Sequence, residues 1–386
     1  MWLRYGVDAN NTLVAIEDTR SGKTNLGCPY CENKLIAKKG SVKQHHFAHN
    51  DETCRMVIKR EPRELPNLPL YDAFDIFLTG KELDQLKKIW YRHKSHDNGI
   101  PSLELMPAFA RENLVKHNQH LNVCSGSGAY EFTDLGKIPV KALSLKLFNC
   151  VQQPLILQKL TELEAAVFDN QGTVLQQPEL SFRLTDLQIY GAQIRKILLS
   201  TLYYLEVKAD GQILHKIGVT TRPISKRLVE IQRDLRSHFQ TIAINVLGTW
   251  ASRGNVEKYF KYKYSNFNHP IGSLTEYFKL DAEEDVIAVK RDLEQMKPKV
   301  LSPLEQEIFE GKPSPIEQAL RTETKTLLES HYSKLERVFL SSPSSVQLIQ
   351  ALHLGHSLRH AAETASVPVN TARKVLAVLQ KQQMSG

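Results

Sequence analysis

The stretch LYYLEVKADGQILHKIGVTTRPISKRLVEIQRDL, residues 202–235, decides the fold at the centre of this chain. LYYLEV and ILHKIGVTT are apolar runs separated by ADGQ. Asp210-Gly211 tolerates the positive φ angles of a tight two-residue turn, so the pair reads as a β-hairpin. Pro223 then suits a first helical turn. Ile224, Leu228, Ile231 and Leu235 recur at i, i+4, i+7 and i+11, which predicts one buried helical stripe. Arg227 falls just off that stripe, within reach of the hairpin. Working outward, a second helix is expected from Asn255, a suitable N-cap, with Val256, Tyr259 and Phe260 turned inward and Glu257 on a neighbouring face. TEYFKL, residues 275–280, supplies a last short strand, so three strands flanked by helices are expected.

A tyrosine-bearing strand, a strand ending in Ile-Gly, a helix with Arg and a helix with Glu, in that order, resemble the GIY-YIG nuclease superfamily, above all its phage-type branch. The matching segments are LYYL, KIG (Lys216 to Gly218), KRL around Arg227, VEKYF around Glu257, and TEYF. Two positions depart from the family pattern. Lys216, preceded by His215, stands where the second tyrosine is expected, and Leu202 stands at the glycine of the first motif. Lysine suits phosphate chemistry, because an ammonium neutralises a nonbridging oxygen.

The resemblance implies a small α/β nuclease domain that hydrolyses DNA phosphodiester bonds with Mg²⁺ or Mn²⁺. Under it, Tyr204 positions or deprotonates the attacking water, with Tyr203 in that role if the strand register is shifted by one. A phenol of ordinary pKa near 10 needs nearby cations for general-base work, and Lys216 and Arg227 are such cations. Gly218 lets the backbone approach the hairpin closely. Glu257 is the expected Mg²⁺ ligand, since hard divalent ions take oxygen donors and accept few protein groups when water and phosphate supply the rest. Glu276 recurs in the phage-type pattern, with a cap or salt-bridge role equally open to it.

At 386 residues the chain is long enough for two or three domains. Apolar residues at 41% and charged residues at 24% exclude collagen-like, fully disordered and membrane classes. A net charge of +8 and a pI near 9.0 favour an anionic partner. MWLRYGVDANNT lacks the basic region and apolar run of a signal peptide, and no membrane span is read, so a cytoplasmic protein is expected. Five cysteines, three of them clustered near histidines, read as metal binding rather than a disulfide framework.

WLRYGVDA and TLVAIED read as two strands, followed by GCPYCENKLIAKKGSVKQHHFAHNDETC. Cys28-x2-Cys31 makes a knuckle whose sulfurs share one centre, and thiolate with imidazole suits tetrahedral Zn²⁺. The expected ligands are Cys28, Cys31, His49 and Cys54, with His46 as the alternative and His45 the poorest fit. Four protein ligands leave no position for a reacting water, so the zinc is structural. CPYC, AKKG and HHFAH resemble the N-terminal zinc module of competence CoiA-like proteins, which accompanies DNA-processing domains. Lys34, Lys38, Lys39, Lys43, Arg55, Lys59, Arg60 and Arg63 around it face either phosphates or water.

EPRELPNLPL reads as a linker. Beyond it, YDAFDIFLTGKELDQLKKIWYRHK reads as helix, and ELEAAVFDNQGTVLQQPELSFRLTDLQIYG as strands around a turn from Asn170 to Gly172. His93, His96, His117 and His120 read as surface residues, and Cys124 and Cys150 as core. After the central unit, 280–296 is expected as a helix, 297–320 as a connector broken by prolines, and 319–340 as helix again. SSPSS is a second linker. In SVQLIQALHLGHSLRHAAETASVPVNTARKVLAVLQ, Gly355 ends one helix, Ser357 caps the next, and SVP turns into a third. This resembles a helix-turn-helix, with Ser366 at the usual turn glycine. As a DNA reader it places Asn370, Thr371, Arg373 and Lys374 near bases or phosphates.

The expected architecture is α+β multidomain: a zinc-ribbon-like module (1–66), a mixed α/β middle region (67–195), a GIY-YIG-like domain (196–296), a helical connector (297–340) and a helix-turn-helix (341–386). The function expected is that of a DNA endonuclease, with a homodimer among the states a helix-turn-helix allows. The alternatives are an inactive DNA-binding regulator or scaffold, and a protein-assembly adaptor of a mobile-element, competence or defence system.

Overall fold

In the computed structural model the described residues are 3–9, 12–40, 45–50, 60, 65–71, 74, 76–94, 99–118, 130–168, 178–312 and 342–383. They form two compact units, each drawn from separated stretches: 1–67, 159–193 and 310–386 in one, 68–158 and 194–309 in the other. Among the described residues no helix is long and apolar enough to cross a membrane.

The first unit opens with an antiparallel sheet of β1 (Tyr5–Val7), β2 (Leu13–Ala15), β3 (Gly22–Gly27), β4 (Lys34–Lys38) and β5 (His46–His49), in the order β2-β1-β3-β4-β5. Leu3, Ile16, Leu26, Leu35, Ala37 and Phe47 pack around Cys28 as its small core.

In the middle region, α1 (Gly80–His93) begins at Thr79 with a capping box: Glu82 N–H donates to the Thr79 hydroxyl, and Thr79 N–H donates back to the Glu82 carboxylate. Next come α2 (Pro107–Arg111), a hairpin of β6 (Val115–His117) and β7 (Tyr130–Phe132), and α3 (Asp134–Lys137). The long α4 (Leu145–Phe168) and α5 (Pro178–Leu199) follow. The expected strands in 162–191 are thus helices. Leu160, Leu163 and Val167 are buried at helical spacing, as are Leu184, Leu187, Tyr190 and Ile194, where a strand requires a period of two. The expected turn at Asn170 to Gly172 lies outside the described residues.

The central sheet runs β8 (Thr201–Ala209), β9 (Gln212–Thr220), β10 (Ile242–Trp250) and β11 (Tyr277–Phe278), ordered β10-β8-β9-β11. The hairpin forms as expected, with Asp210 at φ +45° and Gly211 at φ +80°. The sheet has four strands rather than three. Asp210 fixes the extra one, its carboxylate accepting from Thr241 N–H (2.7 Å), Thr241 Oγ1 (2.8 Å) and Gln240 N–H (3.1 Å).

Between these strands lie α6 (Ile224–Leu235) and α7 (Glu257–Lys263), and α8 (Glu283–Glu294) and α9 (Pro303–Glu310) follow. Helix α6 buries Ile231 and Leu235, with Ile224 and Leu228 packed beside them, against Tyr203, Leu205, Val207 and Leu214. The opposite face carries Leu202, Tyr204 and Ile217 into a second core with Val256, Tyr259 and Phe260. Asn255 does not cap α7. It is buried, and its amide donates to Asn149 (2.8 Å) and Gln152 (3.0 Å) of α4.

The first unit also holds α10 (Pro343–His353), α11 (Leu358–Thr364) and α12 (Val369–Gln383), packed around Leu348, Ala361, Ala362, Ala372 and Val375. Ser357 caps α11, and Ser366 adopts φ +52° in the turn before α12, the conformation that usually selects glycine there. The helix expected at 319–340 lies outside the described residues.

Candidate active site and metal centre

The β8–β9 register decides which side chains meet. Tyr203 pairs with Gly218 and Leu205 with Lys216, so Tyr203, Gly218 and Lys216 share the face covered by α6. Tyr203 is 1% exposed and accepts a hydrogen bond from Arg227 Nε at 3.4 Å. Gly218 is required by this closeness, because a Cβ there would stand 2.5 Å from the Tyr203 hydroxyl oxygen.

Around this pair runs a chain of charges. Arg227 Nη1 donates to Glu230 at 2.9 Å, and Arg222 binds the other oxygen of the same carboxylate. Lys216 Nζ lies 4.5 Å from the Tyr277 ring centroid and donates to Glu276 at 2.9 Å. Lys261 Nζ bridges Glu276 at 2.6 Å and Glu257 at 2.8 Å. Glu257 is therefore joined through Lys261 and Glu276 to Lys216, which lies two residues before Gly218 on the same face of β9.

Tyr204, the first choice for positioning water, is turned away. Adjacent residues of a strand point to opposite faces, so Tyr204 enters the core beneath α7, where its hydroxyl and His215 Nδ1 lie 2.8 Å apart. Tyr203, the alternative, lies beside Gly218 and Arg227 on the face covered by α6.

Burial pushes the Tyr203 phenol above the ordinary tyrosine range, and the Arg227 hydrogen bond only partly offsets it. The cations therefore do not make Tyr203 a phenolate here; it is a proton-holding phenol. Burial also lowers Lys216, against the pull of Glu276. Burial works to raise Glu276, yet Lys261 and Lys216 bring it down to about 2, so its carboxylate is ionised throughout the neutral range. Burial opposes the charge on Arg227, but its bonds to Tyr203 and Glu230 hold it above the arginine range.

The second candidate group lies in the knuckle between β3 and β4. Ligand atoms of Cys28, Cys31 and His49 all lie within 4.8 Å of one another, with Cys31 Sγ and His49 Nε2 3.3 Å apart. Glu32, at φ +62°, bends the knuckle, with Glu32 N–H donating to Cys28 O (2.8 Å) and Cys28 N–H to Asn33 O (2.9 Å). Two thiols and an imidazole at this spacing fit structural zinc. His46, the alternative ligand, is not in the group. It pairs with Lys38 while His49 pairs with Leu35, three residues along the strand and on its other face. Cys54 lies outside the described residues.

A cleft of about 710 Å³ opens beside the knuckle, lined among others by Cys31, Thr185, His356 and Arg359. At its edge Ser357 N–H donates to Glu32 at 2.9 Å. On α12, Asn370, Arg373 and Lys374 are exposed and Thr371 is partly buried.

The sequence reading missed β10, Lys261 and Glu230. Ile242, Ile244 and Val246 alternate with the smaller or polar Ala243 and Asn245 ahead of Trp250, which is the available signal for the strand. Lys261 is i+4 from Glu257 and Glu230 is i+3 from Arg227, the spacings at which helical side chains meet.

Two stretches match known families. Residues 9–57 match the family model of the competence protein CoiA N-terminal domain, and residues 200–297 match the T5orf172 domain. The chain thus has a CoiA-like N-terminus and a nuclease-related domain, consistent with a hydrolase acting on DNA. No curated protein and no solved structure matches the chain.

Proposed function

We propose that residues 200–297 hydrolyse DNA phosphodiester bonds with Mg²⁺ or Mn²⁺ in a GIY-YIG-type site, and that the zinc module and the C-terminal helix-turn-helix direct the cut. The observation that carries this reading is the gathering of Tyr203, Lys216 and Arg227 on one sheet face, with Glu257 tied in through Lys261 and Glu276. Glu257 offers oxygen donors of the kind a hard divalent ion takes, and its bonded partner is a lysine rather than a structural backbone group. The metal supplies Lewis-acid polarisation of the phosphate.

The protein's own groups divide the remaining work. Arg227 and Lys216 present positive charge to the nonbridging oxygens, where charge develops in the transition state. Tyr203 keeps its proton and orients water through its hydroxyl. Glu230 and Glu276 hold the two cations until a phosphate competes for them. Asn370, Thr371, Arg373 and Lys374 lie on the helix assigned to the major groove. Two copies reading a two-fold site is the arrangement such a unit favours.

A second reading, an inactive DNA-binding regulator, is favoured by one specific contact. Lys261 holds Glu257 Oε1 at 2.8 Å and so competes with a metal ion for the carboxylate. Incubation with supercoiled plasmid and Mg²⁺ or Mn²⁺ separates the readings. Nicking by the wild type but not by Glu257→Gln supports the hydrolase. Nicking by both removes Glu257 as the ligand, and DNA retention without nicking favours the regulator. No retention at low salt leaves the protein-assembly adaptor.

A further inference from the structure

Lys141 carries a charge for which the described residues supply no counter-charge. Its backbone sits at φ +61° because it closes the turn that ends α3: Lys141 N–H donates to Ile138 O (3.0 Å) and Ala142 N–H to Lys137 O (2.9 Å), the paired bonds of a left-handed helix C-cap, a place that glycine usually fills. Its ammonium donates to Ser265 Oγ at 2.6 Å and lies 3.3 Å from Asn266 Oδ1, both neutral groups. Among the described residues no carboxylate pairs with it. Burial lowers its pKa, and the nearby Lys87 cation lowers it further. The left-handed backbone serves the helix cap, whereas a partly desolvated ammonium beside a like charge does not, so it is the charge at this position that asks for a use.

Its surroundings repeat one pattern. Lys141 Nζ lies 5.2 Å from the ring centroid of Tyr262, Lys258 Nζ 5.8 Å from that of Tyr71, and Lys94 Nζ 5.0 Å from that of Tyr91. Lys258 and Tyr262 are one turn apart on α7, about 6 Å along its axis, on the ridge next to Glu257. Lys87, Tyr91 and Lys94 form a second ridge at i, i+4 and i+7 along and just beyond α1, and Tyr91 is 69% exposed. Ammonium groups for phosphates and ring faces for bases, repeated along a line, are what a nucleic-acid strand requires.

We propose that this path, from Lys258 on α7 through Lys141 to Lys87, Tyr91 and Lys94, holds the DNA strand that leads away from the charged group. The middle region is then part of the substrate-binding surface. The inference rests on the DNA reading above, but on binding rather than on cleavage.

The test is binding of a fluorescent DNA duplex with a single-stranded overhang to the full-length protein, titrated in NaCl without added divalent metal, beside thermal melting. Lys141→Gly removes the cation and relieves the left-handed backbone. Its affinity should fall about 5- to 10-fold and its log–log salt slope should shrink by about one, while its Tm holds or rises. Tyr91→Ala and Lys87→Gln should each weaken binding about 3-fold. Lys208→Gln, which removes the same charge at the turn end of the hairpin, should change binding less than about 2-fold.

Lys141→Gly binding like Lys208→Gln overturns the path and leaves the DNA reading standing. A fall in the Tm of Lys141→Gly assigns Lys141 to the fold and overturns its role. If that variant does not fold, Lys87→Gln with Tyr91→Ala decides the matter, and wild-type binding by the pair rejects the path. Wild-type protein that binds DNA but does not cut leaves the path intact and sinks only the hydrolase. Wild-type protein that does not bind at low salt sinks both.

Discussion

The five-stranded N-terminal sheet and the four-stranded central sheet are stabilised in different ways. The central sheet is covered on both faces. Tyr203, Leu205, Val207 and Leu214 meet α6, while Leu202, Tyr204 and Ile217 meet the layer of Val256, Tyr259 and Phe260. The N-terminal sheet has strands of three to six residues and two small clusters, one around Cys28 and one joining Tyr5 and Ala15 to Ile189. A sheet that buries two apolar faces needs no further support. One this small needs a cross-link, and the Cys28, Cys31 and His49 group is placed to bind it.

The largest effect that sharpens this contrast is metal loss. Binding of structural zinc is worth on the order of 10 kcal/mol to a module of this kind. Cys28→Ser is expected to abolish zinc binding, measured by elemental analysis, and to open residues 3–50 to proteolysis while the central sheet stays protected. Because Glu32 of the knuckle bonds to Ser357 at the start of α11, protection of 342–383 should fall as well. A metal-free N-terminal sheet that resists protease would break the comparison.

Apolar truncation should act the other way round. Ile217 is fully buried in the larger core, and Ile217→Ala is expected to cost about 3 kcal/mol by urea unfolding of the second unit, with zinc content unchanged. Gly218→Ala drives a methyl group into the Tyr203 hydroxyl, and overpacking of this kind costs about 1–3 kcal/mol. Its larger consequence should be the displacement of Tyr203 from Arg227. Unchanged stability and an unchanged tyrosine near-UV signal in Gly218→Ala would show that the close approach is not a constraint.

The smallest expected effect is electrostatic. Glu276 is held at about 2 by Lys261 and Lys216, below the ordinary carboxylate range. Its contribution to stability is therefore complete above about pH 4.3, and it is lost as pH falls towards 2. Its side chain is 41% exposed, so the contribution is modest. Unfolding midpoints between pH 5 and 2 should decline less steeply in Glu276→Gln than in the wild type. Identical profiles would exclude the bridge as a source of acid sensitivity.

Much of this was legible in the residues, for physical reasons that differ by element. The hairpin and α6 were readable because Asp210-Gly211 and the Ile224-to-Leu235 stripe are local signals. The knuckle was readable because ligand spacing is itself a geometric statement. Residues 162–168 of α4 and 178–191 of α5 read as strands in the sequence, since dense apolar residues obscure the period when helices are buried on several sides. The choice between Tyr203 and Tyr204 could not be made locally. Two adjacent tyrosines differ only in which face they occupy, and that is set by pairing with Gly218 and Ile217. Asn255 was misassigned for a related reason: its amide is drawn to Asn149 and Gln152, more than a hundred residues earlier in the chain.

The most direct test of the central assignment compares two hydroxyl deletions that are adjacent in sequence and on opposite faces of one strand. Mg²⁺-dependent nicking of supercoiled plasmid should fall at least about 100-fold in Tyr203→Phe and stay within about 3-fold of wild type in Tyr204→Phe, which loses only its contact with His215. Full nicking by Tyr203→Phe, with loss in Tyr204→Phe, would contradict the assignment of the reactive face.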